Sequence, residues 1–447
     1  MRVKTLGRLL GLDKLVVEDV WGEDVGTGAV LVVGVRPAAS QRLRCPLCRR
    51  RCGKYDDGSG VRRWRHLDAG ATKVFVQAAA PRVRCARHGV VVAAVPWARH
   101  GSGHTRMFDD QVAWLATRTS KSAVCELMRV GWRTVGAIVG RVWQDVSQGA
   151  DLLGGLSRIG VDEISYKKGQ KYLVVVVDHD SSRLVWAGEG RSAKTLVEFF
   201  DLLGPQRCAR ITHVSADSAS WVAKAVRDKC PHAVLCADPY HVVSWAMTAM
   251  DQVRRDAWRQ ARQAAGPEKR RRGRPPPGAP PRPNSDKAAS MRNSRWALWK
   301  NPENLTEPQQ AKLEWIAKTD SRLYRAYLLK EGLRTIFRLP CDQAWHALNR
   351  WISWARRCRI PSFVALQKTI VAHKDQILNT LQHRLSNGLI ESINTKIRLI
   401  TRVAFGFHSP HSLIALAMLS LGGLRPNLPG RQHPPTQPSH RHHHPHM

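Results

Sequence analysis

Hydrophobic and polar positions fall into four successive patterns along the chain. Residues 1–100 are strand-like in their apolar spacing. Residues 105–150 read as helices, and residues 155–240 alternate short apolar runs with amphipathic segments. Residues 241–420 read as helical, interrupted by GPEKRRRGRPPPGAPPRPNSDK (Gly266–Lys287). That Pro- and Arg-rich composition predicts an extended linker over 266–290. The tail 426–447 is low in complexity and rich in His, which predicts disorder.

The third stretch yields an element order. Ile159–Ile164 reads as a strand carrying Asp162, Lys167–Gln170 as a hairpin turn, and Lys171–Asp178 as a fully apolar strand. Arg183–Gly188 is a third strand, Ser192–Leu203 a helix, and Arg210–Ala216 a fourth strand ending at Asp217. Trp221–Lys229 is helical, and Ala233–Ala237 is a fifth strand ending at Asp238. The order β-β-β-α-β-α-β matches a ribonuclease-H-like sheet, in which the first and fourth strands are neighbours. Asp162 and Asp217 are then expected side by side. Each acid also has an ordinary explanation: Asp162 ends a strand next to its rival Glu163, and Asp217 suits a helix cap near Ser218. Asp178 and Asp180 are weaker candidates.

In LSNGLIESINTKIRLI (Leu385–Ile400), Ile390, Ile393, Ile397 and Ile400 form a core stripe. Asn387, Glu391, Asn394 and Arg398 form a second stripe about 100° away on helical geometry. Glu391 is placed to look along the edge of the sheet, although a solvated helix face would read the same way. The chain between Asp217 and Glu391 is longer than such a core needs, so an all-α insertion is expected over 241–384. Its tryptophans Trp296, Trp299, Trp345, Trp351 and Trp354 suit a core, or stacking on flipped bases.

Charge changes the picture. Lys plus Arg number 71 against 35 Asp plus Glu, a formal net charge of +36. Such an excess points to a polyanionic partner such as nucleic acid. No apolar run reaches the roughly 18 residues of a membrane span, and no secretory pattern opens the chain, so a cytoplasmic setting is expected. The ten cysteines are irregularly spaced, as in a reducing compartment.

Four residues nevertheless pair up. Cys45-Pro-Leu-Cys48 and Cys85-Ala-Arg-His88 share a two-residue spacing, which lets each tight turn offer two ligands to one tetrahedral Zn²⁺. Cys52 is a rival ligand. Further on, Ser122–Met128, a turn at Val130-Gly131-Trp132, and Arg133–Trp143 fit a helix-turn-helix or a plain helical hairpin. Ala123 and Leu127 are expected on one face of the first helix. Arg133, Thr134, Ala137 and Arg141 lie on the polar side of the second, which would enter the major groove.

These residues bring the chain to a known family. It resembles the insertion-sequence transposases of the ISL3 family, which have a DDE catalytic core. The resemblance rests on RIGVDEISYKKGQKYLVVVVDHDSSRLVWAGEGRSAKTLVEFFDLLG, VSADSASWV, ADPYHVVSWAMTAMDQVRR and LSNGLIESINTKIRLITRVAFGFHSP, in that order. It spans roughly residues 40–425 and includes the cysteine module and the helix-turn-helix. The chain departs from the family pattern in its Cys₃His set, its Pro-rich insertion and its His-rich tail.

The resemblance implies a multidomain α/β protein. It would comprise a zinc-binding β module (1–100), a helix-turn-helix (105–150), and a ribonuclease-H-like core (155–240 and 385–425) interrupted by the all-α insertion. Asp162, Asp217 and Glu391 become the acids that hold two Mg²⁺ (or Mn²⁺) ions, with Asp162 bridging them. Asn387, Asn394 and Arg398 become DNA contacts, with Asp238 and His241 as accessory groups. The implied activity is cleavage and strand transfer at the element's own terminal inverted repeats, by a homodimer or larger assembly. A nuclease or resolvase that cuts without joining, and an inactive DNA-binding regulator, are the rival readings.

Overall fold

The computed structural model describes residues 7, 10–26, 28–217, 219–264, 290–291, 293–407, 409–426 and 428–431. The linker expected over 266–290 lies outside the described residues except for residue 290, and the expected disordered tail lies outside them from residue 432.

Seven strands build the N-terminal part: β1 (Leu15–Val25), β2 (Gly28–Pro37), β3 (Gly53–Asp56), β4 (Val61–Ala69), β5 (Thr72–Ala79), β6 (Arg82–Cys85) and β7 (Gly89–Val92). They form two sheets, ordered β1-β2-β5-β4 and β3-β6-β7. In the first, alternate residues Val33, Val35, Val74, Val76 and Ala78 point inward onto Trp64 and Trp97, the two-residue period of a half-buried strand.

His66 on β4 is buried at this junction. Its Nε2 donates to the Leu10 carbonyl at 3.1 Å, and its Nδ1 lies 2.9 Å from Thr105 Oγ1. Burial pushes the imidazole down to about 4, so it is neutral when folded. The unfolded chain takes up a proton near pH 6.5, so stability is full above that pH and falls as pH drops toward 4. The expected loss is about 3 kcal/mol. Acid titration followed by circular dichroism checks this: His66→Gln flattens the response, and an unchanged profile would remove His66 as its source.

Three helices follow: α1 (Arg106–Ala116), α2 (Lys121–Met128) and α3 (Trp132–Gln148). Ser120 caps α2 by accepting from the Ala123 amide. The chain turns at Arg129 in the left-handed region, φ 52°, and Gly131 starts α3. The inner face of α2 is Val124 and Met128; Leu127, on the face it shares with Ala123, is 63% exposed. The α3 helix runs past Trp143 to Gln148. Burial of Val135, Ile138, Val139 and Val142 carries it through Gly136 and Gly140.

The central sheet contains β8 (Arg158–Lys167), β9 (Lys171–Asp178), β10 (Arg183–Glu189), β11 (His213–Ala216) and β12 (Val234–Ala237). Its order is β10-β9-β8-β11-β12. The β8 strand is antiparallel to β9 and parallel to β11, and β11 is parallel to β12. One face packs on α4 (Ala193–Leu203) and α5 (Ser220–Lys229) through Ile159, Val161, Val174, Val176 and Val214.

Beyond β12 the chain is helical: α6 (Pro239–Ala264), α7 (Glu307–Thr319), α8 (Ser321–Ile336), α9 (Cys341–Arg357), α10 (Pro361–Ala372) and α11 (Lys374–His383). These share their own apolar core, including Met250, Leu329, Leu348 and Phe363. The pattern of Gln309–Leu333 and that of Phe363–Gln382 each predicts a single helix, but both stretches are divided. Asp320 interrupts 309–333 by capping α8, accepting from the Leu323 amide at 2.9 Å. His373 separates α10 from α11.

Finally α12 (Gly388–Val403) and α13 (Pro410–Leu421) cover the other face of the central sheet. There Ile390, Ile393 and Ile397 meet Ile164, Leu173, Val175 and Val177, as the isoleucine stripe predicts. Gly160 permits the approach, because a Cβ at that position would lie 2.4 Å from Ile390 Cδ1. Among the described residues, no helix is long and apolar enough to cross a membrane.

Candidate functional site: an acidic centre, a cysteine-histidine cluster and a helical unit

Register aligns the acids. Ala216 pairs with Val161 on one side and with Ala237 on the other. The next residue on each strand is therefore Asp217, level with Asp162 and with Asp238. Three carboxylates stand in line across three parallel neighbours, at the edge where open α/β sheets bind ligands. Alternation turns Asp162 to the α12 face, along with Gly160 and Ile164, while Glu163 turns away and pairs with Arg191. Glu163 is therefore turned off the face that carries Asp162. Asp178 is also committed elsewhere, accepting from the Asp180 and Ser181 amides, and Asp180 pairs with Arg158.

The Asp162 carboxylate is held at both oxygens. Oδ1 accepts from the Glu163 amide at 2.7 Å, and Oδ2 accepts from Asn394 Nδ2 at 2.8 Å. Burial raises its pKa to about 6; the charges of Asp217 and Glu163 add to this, and the Glu163 amide and His241 oppose it.

His241 Nδ1 sits 3.0 Å from Asp238 Oδ2 and 3.9 Å from Asp217 Oδ1. The close Asp238 contact is an ion pair. It holds the imidazole up at about 9, against the opposing effect of burial. His241 is therefore a cation amid the carboxylates at neutral pH.

Glu391, in the first turn of α12, is exposed. Burial of part of its surface and the charge of Asp238 raise its pKa, while His241 and Arg398 oppose the rise. The acids thus share one electrostatic field. The donors are hard oxygens, the type Mg²⁺ and Mn²⁺ take, so the residues present fit a divalent cation. Among the described residues, these acids do not form a group whose ligand atoms all lie within 4.8 Å of one another.

Two expected DNA contacts on α12 are corrected. Asn387 is 1% exposed and Asn394 is 2% exposed, so neither side chain lies on a DNA-accessible surface. The fourth member of the stripe, Arg398, is exposed.

Cys45, Cys48, Cys85 and His88 do converge, with ligand atoms all within 4.8 Å of one another. Cys48 Sγ is 3.7 Å from Cys85 Sγ, and His88 Nδ1 is 3.5 Å from Cys45 Sγ and 3.6 Å from Cys85 Sγ. A tetrahedron with Zn–S near 2.3 Å and Zn–N near 2.0–2.1 Å has edges of about 3.5–3.8 Å. The four residues fit zinc. Cys52 lies alongside, with its thiol turned to the Arg50 carbonyl.

On α3, Arg133 and Ala137 are exposed and Thr134 is partly so. Arg141 is corrected: it turns inward and pairs at 3.3 Å with the fully buried Asp109 of α1. Arg141→Ala should therefore cost about 1–3 kcal/mol of stability by weakening the support of a buried charge. Arg133→Ala should leave melting unchanged and weaken DNA binding by about 1–3 kcal/mol. Parallel melting and DNA-anisotropy measurements check the contrast, and equal melting of the two variants would contradict it.

Of the tryptophans, Trp351 is buried and donates to the Leu329 carbonyl, and Trp299 is partly buried. Trp296, Trp345 and Trp354 are exposed.

Comparison with known proteins agrees with this layout. A family profile described as Transposase, of the DDE type of ISL3, matches residues 159–417. A helix-turn-helix domain of transposase family ISL3 matches residues 93–143. A zinc-finger of transposase IS204/IS1001/IS1096/IS1165 matches residues 41–88. The chain is 57% identical over 437 residues to the transposase for insertion sequence element IS1557 of Mycobacterium tuberculosis, covering 97% of this chain and 98% of that protein. It is 26% identical over 395 residues to the transposase for insertion sequence element IS1001 of Bordetella parapertussis, covering 87% and 90%.

Proposed function

The chain belongs to the ISL3 family of transposases and is a DNA transposase; from that premise we propose that Asp162, Asp217 and Glu391 are its catalytic acids. They would sit on a ribonuclease-H-like core formed by 155–240 and 385–425, with 241–384 as an all-α insertion. The observation that carries this reading is the parallel register that sets Asp217 level with Asp162, beneath a helix bearing Glu391.

Cutting and joining DNA are both in-line displacements at phosphorus, with water and then a 3′-hydroxyl as nucleophile. Asp162, Asp217 and Glu391 would hold two Mg²⁺ (or Mn²⁺) ions, which when bound would supply activation of the attacking oxygen and stabilisation of the leaving one. The chain's own groups do the rest. Asp238 holds His241 as an imidazolium beside the acids, where a scissile phosphate would meet it. Arg398 offers its charge to the flanking backbone.

Arg133 and Thr134 on α3 would read the terminal repeat in the major groove. The basic knuckles of the zinc module, including Arg49, Arg50, Arg51, Arg84 and Arg87, would hold phosphates. Among the described residues none of these five arginines has a carboxylate partner. Exposed Trp296, Trp345 and Trp354 are available to stack on unpaired bases. Two ends must meet, so a homodimer or larger assembly is the working form.

A strand-transfer assay on DNA carrying the element's own ends, with Mg²⁺ or with EDTA, tests the reading. Joined product that appears only with Mg²⁺ supports it. Cut product that is never joined moves the assignment to a nuclease.

A further inference from the structure

Asn394 belongs to the polar stripe of α12, yet its amide is buried. Its Nδ2 donates to Asp162 Oδ2 at 2.8 Å, across 232 residues of sequence. Among the described residues this is the only hydrogen bond between α12 and the central sheet. Its orientation is fixed by chemistry, since an ionised carboxylate only accepts and the NH₂ group must face it.

Three consequences follow. The bond ties Glu391, one turn earlier on the same helix, to the strand that carries Asp162. It also occupies one lone pair of Oδ2, as the Glu163 amide does for Oδ1, so the carboxylate cannot rotate and its remaining lone pairs are aimed. Finally, Asn394 Oδ1 is left buried without a partner. A native protein rarely leaves such a group unmatched. Beside Asp162, that oxygen can accept from a water bound to a metal.

We propose that Asn394 is a positioning residue that orients the Asp162 carboxylate for divalent-metal binding, and that it is not a DNA contact. This rests on the reading of Asp162 as a metal ligand. Groups that hold a metal ligand in place typically change metal affinity about 10–100-fold when removed.

The test uses the full-length protein and Mn²⁺, whose binding is followed by electron paramagnetic resonance. Asn394→Leu keeps the branched shape, though not the volume, and removes the donor; Asn394→Ser is a smaller second variant in case the first does not fold. Thermal melting and end-DNA binding in EDTA are measured alongside. The expected result is Mn²⁺ binding weakened about 10–100-fold in either folded variant, with DNA affinity unchanged. Unchanged Mn²⁺ binding together with reduced DNA affinity would overturn the proposal and restore Asn394 as a DNA contact. Unchanged values of both would leave it a packing residue, which also overturns the proposal. Asp162→Asn is run in parallel. If it too binds Mn²⁺ normally, the Asp162 assignment has failed; if it alone loses Mn²⁺, only the role of Asn394 has.

Discussion

Asp217→Asn lowers strand transfer by about 10³-fold or more and leaves end binding intact. The magnitude follows from the chemistry, since a metal clamp on the attacking and leaving oxygens contributes several kcal/mol at the transition state. The substitution removes one charge and almost no volume. Asp217 is only partly buried, and the contacts found for it are electrostatic, so the fold does not depend on its charge. Asp162→Asn should be as inactive, and the double variant little worse than either, because groups that act as one unit are not additive. Gel assays of joined product beside anisotropy of DNA binding separate the two effects. Loss of binding in step with activity would instead assign Asp217 to DNA recognition.

The second large effect is loss of zinc. Cys45 is fully buried, and the strands β3, β6 and β7 are short, four residues each, with almost no apolar core of their own. A closed tetrahedral site contributes about 10–16 kcal/mol in zinc-finger peptides, more than so small a sheet can supply by packing. Cys45→Ser or strong chelation should therefore unfold the small ribbon of β3, β6, β7 and the ligand-bearing turns, while the β1-β2-β5-β4 sheet and α1–α3, each with a separate apolar core, stay folded. One zinc per chain is expected by metal analysis, and amide exchange should rise in β3, β6 and β7 on chelation. Less than half an equivalent in freshly purified protein, or exchange that chelation does not alter, would contradict the structural role.

Much of the acidic centre was legible because strands announce their ends. Asp162, Asp217 and Asp238 each close or sit within an apolar run, and parallel pairing then aligns them. Asn394 and Arg141 were misread for one shared reason: helical periodicity marks a side chain as polar and off the core stripe, but it does not show what covers it. Asn394 is covered by a carboxylate 232 positions earlier, and Arg141 is claimed by Asp109 on a helix before the helix-turn-helix. Leu127 is the converse case, an apolar residue left exposed because Val124 and Met128 face the partner helix. The breaks at Asp320 and His373 interrupt sequences whose apolar spacing continues through them. The parallel pairing of β2 with β5 joins distant segments and leaves no local signal. The cysteine pairs were legible because ligand spacing is itself a local property.

The central claim is that a glutamate on α12 completes a site begun by aspartates on β8 and β11. The direct measurement is strand transfer on the element's own ends with Mg²⁺, comparing the native protein with Glu391→Gln. The account predicts joined product from the native protein and none from the variant, with equal end binding. Joined product at the native rate from Glu391→Gln would mean that the third carboxylate lies elsewhere.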